Sequence, residues 1–278
     1  MKSLNLIKAM IICALLAVPA VCNAQLFDFP YGFRAQMQVQ GLRHATVALE
    51  VVDLDNDSVL YALDEQRAVQ PASLLKLVTT ATALRKFGGD EKIPRNLNCI
   101  DSTAVPLPEL LGYNGDWLIE DIGETYIRPL TVMPDVGMPL RDFVKKTNEM
   151  SLNENAELLA YWIGGSTSIA DGIDSICAYW SSIGIDTEAL TMYDGCGLAP
   201  ADRLTAHFMI DLLREMRDDA DFRNSLPVAG VSGTVQRFLK GTRLEGKASL
   251  KTGTTKSVVA YAGYIEGSDN HTYAVSLI

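Results

Sequence analysis

The stretch at residues 74–84, LLKLVTTATAL, constrains the fold most, because it is apolar on nearly all sides of a helix. A helix without a polar face is usually buried at the centre of a domain. The Pro-Ala-Ser segment at 71–73 is typical of a helix start, and the Gly-Gly pair at 88–89 ends the pattern after Phe87. The rest of the chain must therefore supply elements that surround this helix.

Predicted strands occur near both ends of the chain, and predicted helices lie between them. Turn residues at 55–57 and 267–270 indicate two hairpins. The order predicts an α/β fold whose sheet is built from both chain ends, with an inserted helical region at about 138–203. The predicted strands are 45–53, 58–63, 248–252, 258–266 and 271–278, and the predicted helices are 139–149, 154–163, 168–183 and 204–217.

The first 24 residues are typical of a signal peptide. Lys2 and Lys8 precede an apolar run of 13 residues at 9–21, and small residues end it at Ala24. The run is too short to span a bilayer comfortably. We therefore expect an exported protein, periplasmic or in the cell envelope, with a domain at 25–278 and no stable membrane span after processing. An uncleaved anchor and a lipoprotein at Cys22 are the alternatives.

Charge and cysteine content exclude several classes of function. Removal of Lys2 and Lys8 with the signal peptide changes the net charge from −10 to −12. An acidic chain without a basic cluster is not expected to bind nucleic acid. Three of the five cysteines remain, Cys99, Cys177 and Cys196, which allows at most one disulfide within the chain. There is no CxxC spacing and no ligand pattern among the three histidines, so we do not expect a zinc site.

Ser73-Leu74-Leu75-Lys76 is the first motif with chemical meaning. At positions i and i+3 of a helix, the hydroxyl and the ammonium lie on one face. A serine hydroxyl becomes a good nucleophile when a base takes its proton, and a buried lysine can be that base. Alone the motif is weak, because Ser73 can simply cap the helix. However, an unneeded charge at Lys76, inside an apolar helix, would be costly.

Ser151-Leu152-Asn153 is the second motif, at a turn before a helix. The hydroxyl of Ser151 can relay a proton to a leaving amine, and the amide of Asn153 can bind Lys76 and a substrate carbonyl. Serine and asparagine also favour helix starts for structural reasons alone.

Lys251-Thr252-Gly253-Thr254 is the third motif, on a predicted strand. Lys251 and the threonine hydroxyls can hold a carboxylate, and Gly253 allows a ligand to approach the strand backbone. The backbone N–H groups of Thr254 and Ser73 can form an oxyanion hole. The alternative is an edge strand with a solvated lysine.

Taken together, the three motifs in this order are specific, since penicillin-binding proteins and class A β-lactamases carry a closely similar set. The chain resembles the class C low-molecular-mass penicillin-binding proteins, the D-alanyl-D-alanine carboxypeptidase/endopeptidases, over about residues 44–98 and 138–278. The resemblance rests on four segments: VVDLDNDSVLYALDEQRAVQPASLLKLVTTATAL, PLRDFVKKTNEMSLNENAELL, YDGCGLAPADRLTA and LPVAGVSGTVQRFLKGTRLEGKASLKTGTTKSVVAYAGYI.

This resemblance implies a serine β-lactamase/transpeptidase-like fold and a chemistry without a cofactor. Ser73 would attack the carbonyl between the two terminal D-alanines of a peptidoglycan peptide, with Lys76 as base. Ser151 would pass a proton to the leaving D-alanine, and Asn153 would orient Lys76 and the substrate. The substrate carboxylate, which β-lactam inhibitors imitate, would be held by Lys251, Thr252 and Thr254.

The chain departs from the family pattern in four places. Only 77 residues separate Ser73 from Ser151, so the family's extra domains are absent or reduced to an irregular insert at 90–137, with short strands near 117–122 and 126–130. Leu152 is apolar where the family often has a polar residue. Cys196 replaces the usual serine and is either a thiol or paired with Cys177. The chain ends on an apolar strand at Ile278, where the family continues into a helix, so we expect one sheet face to be uncovered.

Two other functions stay open beside the carboxypeptidase, with or without endopeptidase activity. A serine β-lactamase would need a further base for rapid deacylation, and Glu154 and Glu157 lie close to the second motif but in a predicted helix. A non-catalytic, wall-binding relative would fit the reduced insert and the missing C-terminal end.

Overall fold

The computed structural model of the chain describes residues 44–94, 137–166 and 168–278. The predicted signal peptide at 1–24 and the predicted strands at 117–122 and 126–130 lie outside these residues. None of the helices in the described part is long and apolar enough to cross a membrane.

The strands of the described residues form one antiparallel sheet in the order β2-β1-β5-β4-β3. Strand β1 pairs with β5 from Leu49 opposite Leu277 to Asp53 opposite Tyr273. The prediction that both chain ends build the sheet is therefore confirmed. The strands are β1 (Leu49–Asp53), β2 (Ser58–Leu63), β3 (Ala248–Thr254), β4 (Val259–Glu266) and β5 (Thr272–Leu277).

Within the described residues, the α-helices follow the predicted order, with one addition. Ser168 and Thr205 cap two of them by accepting the backbone N–H groups of Asp171 and Phe208. The six-residue helix after Asp219 was not predicted, because a single capped turn has too few residues to show a period. The helices are α1 (Leu75–Phe87), α2 (Leu140–Met150), α3 (Asn153–Ile163), α4 (Ile169–Ser182), α5 (Ala206–Glu215) and α6 (Ala220–Ser225).

Helix α1 is buried along most of its length, as its composition predicts. Its threonines are satisfied internally: Thr82 donates to the Val78 carbonyl and accepts a hydrogen bond from Trp180 Nε1 at 2.9 Å. Burial of hydroxyls costs little when their hydrogen bonds are made. The helix therefore serves as the central element against which α2, α3 and α4 pack.

Both faces of the sheet are buried, so the expectation of an uncovered face is wrong. Val52, Ala262 and Ala274 belong to the core on the helical side. Leu49 and Val275 face the opposite side and are each only 1% exposed. On that side the sheet packs against the segment at 229–244 through Ala229, Val235, Leu239 and Leu244.

Candidate active site

Ser73 and Lys76 lie together at the start of helix α1. A short 3-10 turn at Ala72–Leu74 precedes the helix, and Ala72 adopts the left-handed conformation with φ of 49°. Lys76 Nζ lies 2.9 Å from Ser73 Oγ and donates a second hydrogen bond to the Cys196 carbonyl oxygen at 2.7 Å. Lys76 is fully buried, whereas Ser73 is partly exposed. The S-x-x-K spacing therefore places a partly accessible hydroxyl on a buried amine.

Ser151, of the second motif, contacts Lys251 of the third motif. It follows the last residue of helix α2 in the left-handed conformation, with φ of 57°, and Leu152 then returns to extended backbone before α3. This turn brings Ser151 Oγ to 2.8 Å from Lys251 Nζ on strand β3. Two effects hold the pKa of Lys251 well below its usual value: burial is the larger, and repulsion from Lys76 is the second. Each of the two serine hydroxyls is therefore hydrogen-bonded to a buried amine, and the charge of Lys76 acts on Lys251.

Gly253 allows strand β3 to pack closely on the turn that carries Ser73. A Cβ atom at Gly253 would lie 2.7 Å from the Pro71 carbonyl oxygen. The approach of a ligand to the strand backbone at Gly253 stays a prediction. In the structure, the backbone at Pro71 packs closely on this glycine. On the same strand, Thr252 donates a hydrogen bond to Thr234 Oγ1 at 2.9 Å. Thr254 is exposed.

Asn153 is the first residue of α3 and is partly buried. Among the described residues, Lys76 donates hydrogen bonds to Ser73 and to the Cys196 carbonyl. It does not donate one to Asn153, although the sequence had predicted this contact.

A group of buried acids behind Lys76 was not predicted as part of the site. Asp194 accepts backbone hydrogen bonds from four residues, Cys196, Gly197, Leu198 and Ala199, at 2.9, 2.5, 3.0 and 2.7 Å. A carboxylate that binds four consecutive N–H groups fixes the course of the loop. The D-G-C-G run in the sequence was the available signal, because Gly197 has φ of 84° in this loop.

Glu157 and Asp202 complete this acidic group. Glu157 is 3% exposed and accepts a hydrogen bond from Gly195 N at 3.0 Å. Two effects raise the pKa of Glu157 to about 8: burial is the larger, and repulsion from Asp194 is the second. The same two causes raise the pKa of the Asp202 carboxyl well above its usual range. The Glu157 carboxyl therefore favours the protonated state near neutral pH.

Neither of two acidic clusters offers an open metal site. The ligand atoms of Glu157, Asp194 and Cys196 lie within 4.8 Å of one another, but Asp194 is occupied by four N–H groups. In the second cluster, of Asp53, Asp55 and His271, the histidine binds Asp53 at 2.7 Å and Arg217 binds Asp55.

Cys177 and Cys196 are not joined by a disulfide, which resolves the alternative left open by the sequence. Burial raises the pKa of both thiols. Cys99 lies outside the described residues.

Comparison with known proteins places these features in a family and a fold. The family model of the D-Ala-D-Ala carboxypeptidase 3 (S13) family matches residues 34–99 and 121–278. The D-alanyl-D-alanine carboxypeptidase of Actinomadura sp. (strain R39) is 35% identical over 133 residues, which cover 44% of this chain and 25% of that protein. The chain thus spans about a quarter of the length of this curated relative.

Solved structures show the fold. Penicillin-binding protein 4 from Haemophilus influenzae superposes with a TM-score of 0.66 at 14% identity, over 84% of this chain and 89% of that one. The TLA-3 extended-spectrum β-lactamase superposes with a TM-score of 0.62 at 14% identity, over 89% and 87%. The predicted serine β-lactamase/transpeptidase-like fold is confirmed.

Proposed function

Because the chain belongs to the D-Ala-D-Ala carboxypeptidase 3 (S13) family, we propose that it is a serine-type D-alanyl-D-alanine carboxypeptidase that acts on peptidoglycan stem peptides. The observation that carries the proposal is the buried Lys76 amine at 2.9 Å from the partly exposed Ser73 hydroxyl. A nucleophile and a base within hydrogen-bond distance are the minimum for acyl transfer.

In the proposed acylation, Ser73 Oγ attacks the carbonyl carbon of the penultimate D-alanine. Lys76 takes the proton of the hydroxyl as the new C–O bond forms. The backbone N–H groups of Ser73 and Thr254 stabilise the oxyanion. Collapse of the tetrahedral intermediate breaks the C–N bond. The proton that Lys76 took passes through Ser151 to the amine of D-alanine, which leaves, and Lys76 is again neutral.

In the proposed deacylation, a water molecule attacks the ester carbonyl and gives a proton to Lys76. The bond between the acyl carbon and Ser73 Oγ then breaks, and Lys76 passes the proton to Ser73 Oγ. Ser73 is regenerated, and the shortened peptide leaves with a new carboxylate. The step needs no redox partner, because the reaction is a hydrolysis.

Substrate binding is proposed to rest on the third motif. Lys251, Thr252 and Thr254 would hold the C-terminal carboxylate of the peptide, and Asn153 would bind a substrate carbonyl. A β-lactam presents a carboxylate and a strained amide in the same relation, so we propose that β-lactams acylate Ser73. Penicillin-binding protein 4 from Haemophilus influenzae, which has the same fold, has been solved in complex with a β-lactam.

We also propose that residues 1–24 direct export, so that the domain at 25–278 works in the periplasm or cell envelope. The apolar run and its flanking lysines support this placement.

The test is release of D-alanine from a synthetic peptide that ends in D-Ala-D-Ala. We expect turnover by the wild type and by Ser182→Ala, which alters an exposed serine on α4, and no turnover by Ser73→Ala. Rapid hydrolysis of penicillin without release of D-alanine would instead support a β-lactamase. A folded wild type without either activity would support a non-catalytic relative.

A further inference from the structure

The base Lys76 is held from behind by the loop at 193–199. Two successive carbonyl groups of this loop accept hydrogen bonds from side chains one turn apart on α1. The Gly195 carbonyl accepts from Thr79 Oγ1 at 2.7 Å, and the Cys196 carbonyl accepts from Lys76 Nζ at 2.7 Å. The position of this loop therefore sets the position of the lysine amine relative to Ser73.

Glu157 holds the loop from the side of helix α3. Its two carboxyl oxygens lie 3.0 and 3.2 Å from Gly195 N, and its side chain is buried. The contact depends on close packing, because a Cβ atom at Gly195 would lie 2.8 Å from the Ala156 carbonyl oxygen. Glu157 thus holds the backbone at Gly195, the residue before Cys196, whose carbonyl binds Lys76.

The groups that face Glu157 decide its charge. Burial and Asp194 favour its neutral form, while the Cys196 thiol, the Gly195 N–H and the Lys76 ammonium favour its ionised form. These opposing influences place the pKa of Glu157 at about 8, so its charge changes in the range where a hydrolase operates.

We infer that Glu157 is a positioning residue for the Ser73–Lys76 pair, acting through the loop backbone from the Gly195 N–H to the Cys196 carbonyl and through its charge on the Lys76 ammonium. The inference rests on the proposed function. An ionised Glu157 stabilises the ammonium form of Lys76, and that form cannot take the proton of Ser73. A neutral Glu157 releases Lys76 from this influence while keeping the loop in place.

The test is the pH dependence of the acylation rate with a fluorescent penicillin. Glu157→Gln keeps the acceptor for Gly195 N and removes the charge. In a plot of acylation rate against pH, we expect the rising limb of Glu157→Gln to lie at least about half a pH unit below that of the wild type. At the pH where the neutral form of Glu157 dominates, we expect a rate within about threefold of the wild type, since glutamine imitates that form. Glu154→Gln, on the same helix and partly exposed, is the matched control and should leave the limb in place.

A second variant keeps the inference testable if Glu157→Gln fails to fold. Cys196→Ala removes the thiol that favours the ionised form of Glu157 and keeps the backbone carbonyl. The pKa of Glu157 should then rise, and the limb should again move to lower pH.

Two results would overturn the inference while leaving the proposed function intact. One is a rate that falls by the same factor at every pH in Glu157→Gln, which is the mark of a purely structural role. The other is an acylation rate that rises at the same pH in both variants as in the wild type. If the wild type itself forms no adduct on Ser73, the proposed function fails first, and the inference fails with it.

Discussion

Lys251 Nζ donates a hydrogen bond to Ser151 Oγ over 2.8 Å, although the two residues are 100 positions apart in the chain. The contact joins the turn between helices α2 and α3 to an edge of the sheet. Because Lys251 is fully buried and Lys76 lies close enough to lower its pKa, the contact gathers two amines in one site. Repulsion between like charges in a buried site favours the loss of one proton.

Lys251→Met tests this electrostatic arrangement through stability. The pKa of Lys251 is lowered on folding, so between that lowered value and 10.5 the unfolded chain binds the additional proton, and the free energy of unfolding rises with pH. Methionine has similar volume and no charge, so the variant should lack this rise. At neutral pH it loses the desolvation cost of the amine, about 1.4 kcal/mol for each unit by which the pKa is lowered, and two hydrogen bonds worth about 1 kcal/mol each. Urea denaturation at several pH values measures both effects. Parallel pH curves for the two proteins would contradict the expectation.

Lys76→Arg tests the role of the amine as a base. Arginine keeps a positive charge and cannot lose its proton in this range. Acylation by a fluorescent penicillin should slow by about 10²–10⁴-fold, the usual contribution of a general base. Lys86→Arg is the control on the same helix, where the amine bonds the Ile163 carbonyl oxygen, and it should acylate at the wild-type rate. An active Lys76→Arg would exclude this lysine as the base.

Gly253→Ala tests the packing of strand β3 on the nucleophile turn. The new methyl group would lie 2.7 Å from the Pro71 carbonyl oxygen, so one of the two backbones must move. We expect a loss of about 1–3 kcal/mol in stability, together with slower acylation, because the turn carries Ser73. Thermal unfolding and labelling measure the two effects, with Ser249→Ala on the same strand as control. Wild-type values for both would show that the contact is not needed.

Asp194→Asn tests the loop that holds Lys76. Asparagine has one acceptor oxygen in place of two, so it cannot serve all four N–H groups at 196–199. Each buried N–H left without a partner costs about 1–3 kcal/mol. The midpoint of urea denaturation should fall, and acylation should slow because the Cys196 carbonyl moves. An unchanged midpoint would mean that the side chain does not organise the loop.

Much of the fold could be predicted from the sequence because its signals are local. The apolar pattern of α1 and the alternation in the late strands need only neighbouring residues to be read. The sheet also followed, since strands at both ends of a chain with helices between them have few ways to pair. The burial of the sheet face opposite the helices, where Leu49 and Val275 lie, was not predicted. Covering elements far along the chain do not alter the pattern of a strand.

The site was predictable in its residues and less so in its contacts. Ser73 and Lys76 lie one turn apart on a helix, so their proximity follows from the spacing. The partner of Lys76 at Cys196 is 120 positions away and is a backbone carbonyl, which no side-chain pattern can indicate. Glu157 was missed as a positioning residue for the same reason, because its partner is the N–H of Gly195.

The central claim is that Ser73 forms an acyl-enzyme, and peptide mass mapping after reaction with a fluorescent penicillin tests it most directly. We expect the mass of the opened penicillin on the peptide that contains Ser73, and no labelled peptide in Ser73→Ala. A folded wild type that carries no adduct, or an adduct that persists in Ser73→Ala, would contradict the claim.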